Sequence, residues 1–137
     1  MAKLKLIVCM DDRCGVLFNN RRVSSDKEVI KHIRNITAGG TLMCSSYSAC
    51  LFPAGSVCIR ENLPKDLPDA LCYFLEGQDP TPVADRVSEL VIYRWNRVYP
   101  SDYQFPLELF DTRMHVVAQG EFPGNSHARI TWEVYRP

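Results

Sequence analysis

The chain has 137 residues, 46% hydrophobic and 23% charged. That is the composition of a folded chain long enough for a core of its own, and a single domain over residues 1–137 is expected. Sixteen Lys plus Arg balance sixteen Asp plus Glu, so no global charge calls for nucleic acid or an anionic membrane as partner, and any anion site must be local.

No apolar run approaches the ~20 residues that span a bilayer. Residues 4–10, "LKLIVCM", read as a buried first strand rather than a leader, and a cytoplasmic location is expected. "DDRCGVLFNNRR" carries Gly15 and the pair Asn19-Asn20, which tolerate positive φ, so a structured turn follows. Ser25 with Glu28 matches a capping box and opens a helix from about Asp26 to Thr37, with Val29, Ile33 and Ile36 on one face. "AGG" ends it. A strand "TLMC", a short helix "SSYSACLF", a turn "PAG", a strand "SVCIR" and a Pro-broken loop "NLPKDLPD" come next. "ALCYFLE" is a strand, "GQDPTPVADR" a turn with at most one helical turn, and "SELVIYRW" a further strand. From Phe110 to Glu121, Met114, Val116 and Ala118 share one face. From Ala128 to Arg136, Ile130, Trp132 and Val134 do the same, which predicts an antiparallel pair with one buried side. Strands alternating with helices and closed by a hairpin give an α/β domain with a mixed sheet.

There are six cysteines, no C-x-x-C and no Cys/His pairing at zinc spacing. Cys9, Cys44, Cys58 and Cys72 lie in apolar runs and are expected to be core thiols, with no metal and no disulfide framework.

In order and spacing these strings resemble dihydrofolate reductase over nearly the whole chain. "LKLIVCMDDRCG" is similar to the family's first strand and loop, and "SSDKEVIKHIRNIT" to its substrate-site helix. "SELVIYRW" is similar to its "LYLT" strand, "YPSDYQFP" to its "GDTxFP" segment through Asp102, Phe105 and Pro106, and "GNSHARITWEVYRP" to its closing hairpin. The resemblance implies a mixed, mostly parallel central sheet with flanking helices and a C-terminal antiparallel hairpin. It also implies NADPH as cofactor if the chain is a reductase, held by Ser45, Ser46 and Gly77, and a catalytic acid at Glu28, with Asp26 as the alternative. Glu28 also reads as a simple helix cap.

The sequence departs from the family at the site. Where the family has a Gly-Gly pair, this chain has Glu76-Gly77, and a carboxylate there repels a diphosphate. "CSSYS" lacks the family's phosphate-binding arginine. Ser56 stands near the position of its substrate-clamping arginine, and Tyr93 stands for its threonine.

Residues 93–105, "YRWNRVYPSDYQF", remain to be explained. Strand alternation sends Val91, Tyr93 and Trp95 to one side and Ile92 and Arg94 to the other, so Tyr93 is expected to fill the family's pterin cavity. Arg21, Arg22, Arg94 and Arg97, beside Glu76 and Asp102, then form either a pocket for a planar anionic ligand, with Trp95 or Tyr99 stacking on it, or a structural ion network. Aromatics interleaved with arginine also mark protein interfaces, so a protein partner is a further reading. His32 and His115 are expected at the surface, and His127 is expected to be positional rather than chemical. The sequence therefore points to a binding or regulatory protein with a rebuilt pocket. A divergent NADPH-dependent reductase acting on a pterin or a related heterocycle is the alternative.

Overall fold

The computed structural model describes residues 4–38, 40–61, 63 and 71–137. Most of the Pro-broken loop expected at residues 62–69 lies outside that range, as do Gly39 and Ala70.

Seven strands form the main sheet: β1 (Leu4–Met10), β4 (Thr41–Cys44), β5 (Cys58–Ile59), β6 (Leu71–Leu75), β7 (Val87–Arg94), β9 (His115–Phe122) and β10 (Ile130–Arg136). Their order is β5-β4-β6-β1-β7-β10-β9. The pairings from β5 through β7 are parallel, and the closing pairs β7–β10 and β10–β9 are antiparallel. This is the mixed, mostly parallel sheet with a C-terminal hairpin that the sequence predicts.

Alternation along β1 and β7 decides which core each side chain enters. Leu6, Val8 and Met10 join Leu90 and Ile92 on one face, under a 3₁₀ helix at Thr81–Arg86 and the short helix α3 (Glu108–Asp111). Ile7 joins Val91, Tyr93 and Trp95 on the other, under α1 (Lys27–Ile36), whose Val29 and Ile33 point down onto the sheet. No helix among the described residues is long and apolar enough to cross a membrane.

Four sequence expectations change. The N-cap of α1 is Asp26, not Ser25: its carboxylate accepts from the Glu28 amide at 2.8 Å, and Glu28 instead faces Lys31 at 3.7 Å. The "DDRCGVLFNNRR" segment is itself a hairpin of β2 (Gly15–Phe18) and β3 (Arg21–Arg22) turning through Asn19 and Asn20, both at positive φ (50° and 60°). β8 (Tyr103–Gln104) adds to it as a second small sheet. Met114, Val116 and Ala118 do not share a buried face. Met114 precedes β9 and enters the core, whereas Val116 and Ala118 are exposed, because an edge strand with no layer above it has nothing to bury against. Finally, Cys58 is exposed on the two-residue strand β5, although Cys44 and Cys72 are core thiols as expected.

Tyr93 is fully buried, and its hydroxyl lies 2.7 Å from His32 Nδ1, with the two rings edge to face. Burial pushes the phenol well above its ordinary pKa and pushes the His32 pKa down. The phenol therefore keeps its proton and pairs with a neutral imidazole. Tyr93→Phe is expected to leave Nδ1 without its partner and to cost about 1–2 kcal/mol, against about 3–5 kcal/mol for Tyr93→Ala. Urea unfolding at neutral pH, with an unchanged m-value, measures both.

Candidate functional site

The parallel strands β1, β4, β6 and β7 all end on one edge of the sheet, where open α/β sheets carry their ligand crevices. Glu76 follows β6 on that edge. Its carboxylate accepts from Arg22 Nε at 3.0 Å, Arg22 Nη2 at 3.2 Å and Ser48 Oγ at 2.6 Å. The same guanidinium lies 4.2 Å over the Tyr47 ring and donates to the Tyr47 carbonyl, while the Arg22 amide donates to the Tyr47 hydroxyl. Burial lowers the Arg22 pKa, but its pairing with Glu76 outweighs this and raises it. One fork of bonds thus bolts the β2–β3 hairpin to β6 and to α2 (Ser46–Ala49).

Gly77 adopts φ +90°, and a Cβ there would overlap Leu17 of β2, so the face of its backbone is covered by the same hairpin. Ser45 is the N-cap of α2, accepting from the Ser48 amide, and the Ser46 amide donates to Glu61 Oε1 at 2.6 Å. A carboxylate of the chain itself sits where the first turn of α2 offers its donors, and those donors lower the Glu61 pKa.

The second cluster is built on Asp26, whose side chain is fully buried. Its oxygens accept from the amides of Glu28 (2.8 Å), Asn125 (2.9 Å) and Ser126 (2.9 Å), from Ser126 Oγ (3.2 Å) and from His127 Nδ1 (2.9 Å). Burial alone would raise this carboxyl. The Asn125, His127, Ser126 and Glu28 donors overcome it and hold the group well below the usual carboxylate range. Gly124 is required for the approach, since a Cβ there would lie 2.6 Å from Asp26 Oδ2. Because Asp26 can only accept, Nδ1 of His127 carries a proton, and Nε2 faces Ser24 Oγ and Tyr99 Oη, each at 2.9 Å. Trp95 stacks on the imidazole at 4.6 Å, and its own Nε1 is buried without a partner among the described residues. Asp11 Oδ2 fixes the Tyr99 backbone by accepting its amide at 2.9 Å.

The expected arginine patch is divided. Arg21, Arg22 and Tyr99 line one groove of about 490 Å³ together with Phe18 and Asn19. Trp95 and Arg97 line another, of about 400 Å³, with His127 and Arg129. Arg94 joins neither. It points to the opposite face of the sheet and pairs with Glu133 at 2.7 Å, because it alternates with Tyr93 on β7. Asp102 holds the hairpin turn by accepting the Asn19 amide. Sequence reasoning missed Ser24, Tyr47, Ser48 and Glu61 and gave His127 a positional role. The one usable signal was Asp26 after two serines, a strong N-cap residue beside hydroxyls.

Neither protein-family models nor functionally curated proteins match this sequence. A solved structure does: dihydrofolate reductase from Enterococcus faecalis complexed with NADP(H) and RAB-propyl, at TM-score 0.70 and 12% identity, covering 98% of this chain and 95% of that one. The chain has the dihydrofolate reductase fold.

Asp26→Asn retains the shape but offers one acceptor oxygen in place of two and turns an NH₂ toward backbone amides. A loss of about 3 kcal/mol is expected. Since the native pKa of Asp26 is depressed, its contribution is fully present above about pH 4, the unfolded value, and is lost as pH falls through the native value. Thermal melts from pH 7 to pH 3 should show a steeper acid limb in the parent protein than in Asp26→Asn.

Proposed function

We propose that this chain is a small cytoplasmic ligand-binding or regulatory protein, a single domain of dihydrofolate reductase fold that is not a working reductase. The observation that carries this reading is the Arg22–Glu76–Ser48 bolt across the carboxyl edge of the sheet. Three residues expected to meet a dinucleotide are engaged elsewhere: Ser45 caps α2, the Ser46 amide is taken by Glu61, and Gly77 is covered by Leu17. With the Glu76 carboxylate alongside, these residues do not fit the diphosphate of NADPH. Glu28, the expected acid, is partly exposed and paired with Lys31.

The ligand that suits the chain is small, anionic and partly planar. Arg21 is exposed on the 490 Å³ groove beside Phe18 and Tyr99, which supplies a cation, a flat apolar ring and a phenol at one opening. Arg22 contributes to the wall, but its guanidinium is committed to Glu76. Neutral net charge keeps nucleic acid and membrane surfaces out of this reading.

Calorimetric titration with NADPH is expected to give a Kd weaker than about 100 μM, at least ~3 kcal/mol poorer than a low-micromolar site. A low-micromolar value overturns the proposal in favour of a divergent reductase acting on a pterin or related heterocycle. In a thermal-shift screen of small anions, Arg21→Ala should weaken any hit about tenfold (~1.4 kcal/mol) without lowering stability. Arg22→Ala should instead cost about 3 kcal/mol of stability by stranding Glu76.

A further inference from the structure

We propose that Ser24, His127 and Asp26 form a nucleophile–base–acid relay, and that Ser24 Oγ attacks small activated esters to give a covalent acyl adduct. The geometry meets the two distances such chemistry needs. Ser24 Oγ lies 2.9 Å from His127 Nε2, and His127 Nδ1 lies 2.9 Å from Asp26 Oδ2, both inside the ~2.6–3.2 Å range of working nucleophile–base pairs.

Burial is graded in the right sense. The side chains of Asp26 and His127 are 0% and 2% exposed, while Ser24 is only half-buried, so water meets the relay at its hydroxyl end. Three further donors besides His127 orient the Asp26 oxygens from the 125–126 loop, and the Trp95 ring fixes the imidazole plane from one side. Tying α1 to the hairpin loop needs only the Asn125 and Ser126 donors. The two hydroxyls gathered at Nε2 add nothing to that tie, and they are the part of the cluster that has a chemical use.

The step balances without a co-reactant other than water. Ser24 Oγ bonds to the acyl carbon as its proton passes to His127 Nε2. The ester C–O bond breaks, and the alkoxide leaves with that proton. Water then attacks the acyl-serine, gives its proton to Nε2, and the acid departs as Ser24 regains its hydrogen. Tyr99 competes for the single Nε2 lone pair at the same 2.9 Å, so it restrains Ser24 whenever its phenol is the donor. The groove that Tyr99 shares with Arg21 favours an ester whose acyl part carries a negative charge. Only this preference rests on the anion-binding reading above; the relay does not.

The test is labelling of the native protein with a fluorophosphonate, followed by intact mass and peptide mapping. A single adduct on Ser24 is expected, absent from heat-unfolded protein and lost in Ser24→Ala that keeps its thermal transition. Tyr99→Phe should label at least as fast as the parent. General-base assistance puts the native rate about 100-fold or more above that of the unfolded chain. Ser24→Cys gives a second readout: iodoacetamide should alkylate position 24 faster than any of the six native cysteines. An adduct mapped to another residue overturns the proposal. So does a folded protein that gives neither Ser24 labelling nor a fast Cys at position 24.

Discussion

The Asp26 carboxylate is the constraint on which the rest of this structure depends. A buried anion is tolerated only when its lone pairs are filled, and Asp26 fills them from two places far apart in sequence. One donor comes from the first turn of α1, and the others come from residues 125–127. The same atom pair therefore starts the helix, fixes the loop between β9 and β10, and selects the tautomer of His127. Trp95 is laid against that imidazole, and Tyr99 and Ser24 meet its far nitrogen. The aromatic–arginine stretch after β7 thus finds part of its purpose in packing around a histidine.

A second constraint works on the neighbouring edge of the sheet. The β2–β3 hairpin and the β8 strand beside it are only two to four residues long each, so this small sheet gains from an anchor outside itself. Arg22 supplies the hold through its bonds to Glu76 and Tyr47 at the carboxyl edge of the sheet. Leu17 follows it down onto Gly77.

The fold was legible where pattern is local. Alternation along β7 sends Tyr93 and Trp95 to one core and Arg94 to the other, as read from "SELVIYRW". The Asn19-Asn20 turn was readable from its tolerance of positive φ. The same alternation misled at β9, because it reports a preference for burial and not whether a layer exists to bury against. The site was legible in its residue types but not its pairings. Arg22 and Glu76 are 54 positions apart, and Asp26 and His127 are 101. Four arginines within reach of one sheet edge looked like a patch until each was seen with its own acid or groove. His127 was undervalued because a histidine in a hairpin loop has no periodicity to betray it.

The separation between Asp26 and its loop donors has a consequence for how the molecule is made. As the polypeptide emerges during synthesis, α1 is complete about a hundred residues before the 125–127 segment that satisfies its cap exists. Until then Asp26 must stay hydrated, and β7 has no β10 to cover its flank. The contacts that complete the helix cap, the histidine pairing and the outer sheet edge form only after that segment is made, and long-range closures of this kind slow folding. From its own synthesis until β10 follows it, the nascent chain leaves the outer edge of β7, with the sequence "VSELVIYR", unpaired.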